Sequence, residues 1–120
     1  MPKPQWITVR EQDGVFVVGF RDERILSDLT IAAIGRELCS VADREDCRKM
    51  LVSFARVSRL SSMVLGTLLM VDKRLRRKEG RLKVCRIAPD IREVFTVTKL
   101  DQLLDIQDSE QQALAEFSSG

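Results

Sequence analysis

The sequence predicts a mixed α/β fold built as one domain. Short apolar runs of strand-forming residues alternate with segments whose apolar residues recur at helical spacing, the pattern of strands joined through crossover helices. The chain has 120 residues, the size of one ordinary domain, long enough to bury a core and too short for two full-sized ones.

The segment "WITVREQDGVFVVGF" reads as two strands around a turn. Asp13-Gly14 is a hairpin dipeptide, and Val15, Phe16, Val17 and Val18 favour a strand buried on both faces. After "RDERIL", Ser27 is placed to cap a helix whose Ile31, Ile34, Leu38 and Val41 share one face, with its end near Asp43. "KMLVSF" and "RLKVC" are short apolar runs of central-strand type. Between them "SSMVLG" opens a second helix, which "KRLRRKEG" closes: cations complement the helix C-terminus, and Gly80 supplies a left-handed stop. Pro89 suits the first turn of a short helix over "PDIREVFTVT". "DQLLDIQ" reads as a last strand. Ser109 and Gln112 match a capping box ahead of a closing helix over Ala113, Leu114 and Phe117.

Composition removes several classes of function. With 20 Lys and Arg against 18 Asp and Glu, the net charge of +2 gives no strong field for nucleic acid or an anionic membrane. Aromatics are only 5% and fall mostly in core-like runs, so there is no stacking platform for bases. The absence of histidine removes the usual general base and the commonest metal ligand. Cys39, Cys47 and Cys85 are widely spaced, which suggests buried, reduced thiols rather than a disulfide framework or zinc site. No apolar run approaches the roughly 20 residues of a bilayer span. The expectation is a cytoplasmic protein without enzymatic activity or cofactor, whose partner is another protein.

The helix opened by the serine pair carries the functional interest. Val64, Leu68, Val71 and Leu75 form its core stripe, with Leu65 beside it. Met63, Gly66 and Met70 gather on the opposite side, with Thr67 near them. The methionines either fill gaps under a neighbouring loop or form an adaptable protein-binding surface. Only one of Ser61 and Ser62 is needed to cap the helix. A phosphate on the other would suit the helix dipole and its free N–H groups, yet spoil an apolar surface docked over Leu60 and Met63. A hydrolase using either serine has little support, because "RLSSMVLG" is not a nucleophile elbow and no histidine is present. "MVLGTLL" is equally no phosphate-cradling loop.

From Val15 to Phe117 the chain resembles the STAS domains, and within them the bacterial anti-sigma factor antagonists. That family carries a strand, an Asp-Ser-Ser-Gly-Leu motif opening a helix, a strand after a glycine, a helix begun by proline, and a final acidic capped helix. "LVSFARVSRLSSMVLGTLL" and "GRLKVCRIAPDIREVFTVTKLDQLLDIQDSEQQAL" follow that order and spacing, with Leu60 in place of the motif's acid and Met63 in place of its glycine. The resemblance implies one STAS domain over residues 5–117 with flexible ends at 1–4 and 118–120, and a mixed sheet of four to five strands flanked by about four helices. It further implies partner switching with an anti-sigma serine kinase and a PP2C-type phosphatase, by a monomer or weak dimer. The family's phosphoacceptor falls on Ser62, with Ser61 the secondary candidate. Its partner-facing surface falls on Asp28, Arg59, Leu60, Ser61, Met63, Gly66, Thr67 and Met70. The alternative the resemblance leaves open is a phosphorylation-independent module in a signalling or lipid-transport assembly.

Overall fold

The computed structural model describes residues 4–118. Apart from Pro4 and Ser118, the expected flexible ends lie outside the described residues. The chain opens with the hairpin of β1 (Ile7–Gln12) and β2 (Val15–Phe20), paired antiparallel so that Ile7 faces Phe20 and Gln12 faces Val15. Asp13 (φ 53°) and Gly14 (φ 81°) both take the positive φ that a two-residue hairpin turn demands. β4 (Lys49–Ser53), β6 (Arg81–Cys85) and β7 (Asp105–Gln107) then add in parallel, giving the five-stranded order β1-β2-β4-β6-β7.

α1 (Asp28–Ala42), α2 (Met63–Arg76) and α3 (Pro89–Val97) connect the strands, and α4 (Glu110–Ser118) closes the chain. Period-two alternation sends the two sets of β2 side chains to different layers. Phe16, Val18 and Phe20 join Met50, Val52 and Val84 in the main core, under Ile34, Leu38, Leu68, Val71, Leu75 and Phe95 of the helices. Val15 and Val17 join Leu51 and Cys85 under Ala113 and Phe117 of α4. Lys83 is buried on this second face, where it pairs with Asp105 and its ammonium lies 5.1 Å from the centre of the Phe117 ring. Burial pushes the Asp105 carboxyl pKa up, but hydrogen bonds from Lys83 and Gln107 outweigh it and leave the group below its ordinary value.

Several local expectations are corrected. Ser27 stands at the N-cap of α1, but its exposed side chain makes no capping bond; its carbonyl accepts the Ile31 N–H at 2.9 Å, and water can serve the remaining donors of this open helix end. Half of the α4 capping box forms: Ser109 Oγ accepts the Gln112 N–H at 3.1 Å, and Gln112 makes no return bond among the described residues. The left-handed residue ending α2 is Glu79 (φ 63°), not Gly80. Gly80 is needed for close approach instead, since a Cβ there would lie 2.5 Å from the Arg48 carbonyl oxygen. Of "DQLLDIQ" only Asp105–Gln107 is strand. Lys99 (φ 62°) turns the chain into a 3-10 helix at Leu100–Gln102, and Leu100 and Leu104, one helical turn apart, are both buried.

Candidate functional site

The start of α2 is positioned by a feature without a sequence signature. Two-residue strands β3 (Arg24–Ile25) and β5 (Arg59–Leu60) pair in parallel, with Arg24 opposite Arg59 and Ile25 opposite Leu60. The Glu23 carbonyl accepts the Ser58 N–H at 2.8 Å and the Arg59 N–H at 3.3 Å, and the Ile25 carbonyl accepts the Ser61 N–H at 2.9 Å. Ser58 Oγ donates to the same Glu23 oxygen at 3.3 Å. Ile25 is fully buried and Leu60 half-buried, so this ladder is anchored in the core while its polar side faces out.

The chain then enters α2, and the two serines part company. Ser61 Oγ accepts the Met63 N–H at 3.2 Å and its carbonyl accepts the Val64 N–H at 3.0 Å, so Ser61 does the capping. Ser62 already has helical backbone angles (φ −59°, ψ −18°), a geometry that carries its hydroxyl away from the first-turn donors. Ser62 is exposed, and among the described residues its side chain has no hydrogen-bond partner.

The other predicted residues fall around this point. Val64, Leu65, Leu68, Val71 and Leu75 are buried, whereas Met63 and Met70 remain 51% and 44% exposed. Met70 lies along the seam with α1, its methyl within 3.9 Å of where a Gly35 Cβ would stand. Thr67 is half-buried there, with its methyl against Gly35 and its hydroxyl donating to the Met63 carbonyl at 3.4 Å. Asp28 is exposed in the first turn of α1, where a carboxylate suits the helix dipole. Gly66 is exposed at the end of the first turn of α2, and among the described residues nothing beyond the helix lies within 4 Å of the place a Cβ would occupy.

Sequence reasoning missed several residues of this surface. The Glu23 and Ile25 carbonyls act through the backbone, which leaves no side-chain pattern to read. Leu26 (46% exposed) and Leu29 (84%) are apolar residues outside the core stripe of α1, and that surplus was the available signal. Leu26, Leu60 and Ile91 line a groove with Val94 on the outer face of α3. Elsewhere, burial raises the pKa of the thiols of Cys39, Cys47 and Cys85 above the ordinary cysteine value, which disfavours the reactive thiolate. Among the described residues no His, Cys, Asp and Glu group could hold a metal ion, and no helix is long and apolar enough to cross a membrane.

A five-stranded mixed sheet flanked by helices, with an uncommitted serine at an exposed helix start, defines a small α/β domain. The chain belongs to the STAS domain family, whose family model matches residues 7–113. It is 25% identical over 113 residues to BtrV of Bordetella bronchiseptica, named as an anti-sigma factor antagonist, covering 94% of this chain and 95% of that protein. An anti-sigma factor antagonist of Mycobacterium paratuberculosis superposes with a TM-score of 0.79 at 25% identity, covering 92% of this chain and 91% of that one. A STAS domain protein of Planctomyces limnophilus superposes with a TM-score of 0.85 at 23% identity, covering 93% and 97%, and shows the shared fold.

The division of labour between the serines is testable. Ser61→Ala should lower stability by about 1 kcal/mol in a denaturant melt through the lost cap, whereas Ser62→Ala should leave the midpoint unchanged. Gly66→Ala should raise stability by about 0.5–1 kcal/mol, because the alanine methyl meets nothing and helix formation improves.

Proposed function

We propose that this protein is a partner-switching regulator of the anti-sigma factor antagonist type, controlled at Ser62. Unphosphorylated, it binds an anti-sigma serine kinase and so frees a sigma factor; phosphorylation of Ser62 ends the complex, and a PP2C-type phosphatase resets it. The observation that carries this reading is the free hydroxyl of Ser62 beside the engaged hydroxyl of Ser61. A phosphate on Ser62 breaks no capping bond, and it sits at a helix N-terminus, where the helix dipole favours negative charge. The fold therefore tolerates the modification. A docked partner does not, because burying an unpaired dianion beside Leu60 and Met63 costs several kcal/mol.

Gly66 supports the same surface. A glycine inside a helix costs about 1 kcal/mol relative to alanine, and among the described residues no group uses the space Gly66 leaves. A partner approaching the exposed side of α2 closely gives that space a purpose. Asp28, Arg59, Thr67 and Met70 complete the proposed partner face around Ser61, Ser62 and Met63.

Leu60 and Met63 favour a second reading, a STAS module that binds its partner through this face without phosphate chemistry. They replace the acid and the glycine of the family motif, which removes a charge and adds a side chain beside the acceptor serine. A titration with the purified anti-sigma serine kinase of the same genome, before and after ATP, separates the two. The switch predicts phosphate incorporation into wild type and none into Ser62→Ala, which still binds. Ser62→Asp should melt within about 0.3–1 kcal/mol of wild type yet lose at least about a hundredfold in affinity. Equal affinity for all three proteins with no phosphate incorporated would leave only the second reading.

A further inference from the structure

Arg24 and Arg59 stand directly opposite each other in the parallel register of β3 and β5. Side chains of opposed residues project to the same side of a ladder, where like charges repel. Both arginines are exposed, and among the described residues neither guanidinium has an ion pair or a hydrogen bond. Arg10, Arg44, Arg74, Arg76 and Arg92 each hold a carboxylate; what sets Arg24 and Arg59 apart is that two unpaired arginines face each other in one register. Carboxylates are also close at hand. Asp22 and Glu23 precede Arg24, and Asp90 lines the same groove as Arg59, yet none is engaged with either.

The ladder is two residues long, and the repulsive pair occupies half of it. Packing does not explain this choice, because Ile25 and Leu60 supply the buried side. Next to Arg59 runs the groove of Leu26, Leu60, Ile91 and Val94; Leu26 is 46% and Val94 36% exposed. Arg59, which lines the groove, with Arg24 across the ladder from it, matches a carboxylate beside an apolar side chain. A nucleic-acid backbone fits poorly, since its repeated phosphates need many cations and the net charge of the chain is only +2, whereas a single carboxylate needs only the two guanidinia.

We propose that Arg24 and Arg59 form a carboxylate clamp for a protein partner. The partner's docking segment carries an Asp or Glu that the two guanidinia hold, next to an apolar residue that enters the Leu26–Leu60–Val94 groove. This deepens the binding reading above, on which it rests, and its test does not require Ser62 to be phosphorylated. The clamp extends the partner face from α2 across the ladder toward α3.

The test uses random peptides displayed on phage, selected on the wild-type chain and counter-selected on Arg24→Gln/Arg59→Gln. The clamp predicts enriched sequences with Asp or Glu next to Leu, Ile, Phe or Met. Synthetic versions should bind wild type at least about tenfold more tightly than the double variant, weaken with added salt, and weaken also on Val94→Glu. The double variant should melt no lower than wild type, because a repulsive pair has been removed. Failure to enrich peptides, enrichment without acidic residues, equal binding to both proteins, or a melting temperature several degrees lower in the double variant would each overturn the clamp. Binding of oligodeoxythymidylate lost in the double variant would replace it with a nucleic-acid site. No kinase is used, so a kinase that fails to modify Ser62 leaves the clamp standing, and a failed clamp leaves the phosphorylation reading intact.

Discussion

The position of the α2 helix start rests on a few backbone hydrogen bonds between two loops. The Glu23 and Ile25 carbonyls, on the way from β2 to α1, receive the N–H groups of Ser58, Arg59 and Ser61, on the way from β4 to α2. Ile25 is fully buried beneath them, so the ladder cannot slide without withdrawing an anchor from the core. The two helices it feeds pack along a seam where Gly35 meets the Thr67 methyl. A register fixed at the ladder is therefore carried into α2, and it decides which serine meets the first-turn donors.

That decision separates stability from recognition within two adjacent residues of the same type. Ser61 spends its hydroxyl on the Met63 N–H, and Ser62 has already turned into the helix. Stability along α2 comes from Val64, Leu68, Val71 and Leu75 on its inner side, all nearly or fully buried. The outer side contributes little to the core. Met63, Gly66 and the Arg24–Arg59 pair are all choices that folding alone does not favour: an exposed thioether, a first-turn glycine with open space above it, and opposed like charges. Their concentration at one end of the sheet, beside a free serine, gives the recognition reading its weight.

Much of this was legible in the sequence because it follows from turn chemistry or periodicity. The hairpin rests on the turn chemistry of Asp13-Gly14, and the core stripes of α1 and α2 and the outward placement of Met63, Gly66 and Met70 rest on a repeat of 3.6 residues. What escaped has no such repeat. A two-residue ladder is too short to alternate, and carbonyl acceptors are the same in every residue. Glu79 rather than Gly80 takes the left-handed turn because Gly80 is held against the Arg48 carbonyl, a contact between distant segments. Leu100, just before "DQLL", is buried together with Leu104 one helical turn on, a spacing that "DQLLDIQ" alone does not contain. Which of two adjacent serines caps a helix depends on a ψ angle, and the pairing of loops sets that angle.

The central claim is that the fold leaves Ser62 free to carry a phosphate. The most direct measurement is a thermal melt and an amide chemical-shift map of the full chain with phosphoserine genetically encoded at position 62. The prediction is a melting temperature within a few degrees of the unmodified protein, with shifts confined to β5, the first turns of α2 and their immediate neighbours. A large fall in melting temperature, or shifts spread through β4, β6 and the α1–α2 seam, would contradict it, because the Ser62 hydroxyl would then be part of what holds the domain together.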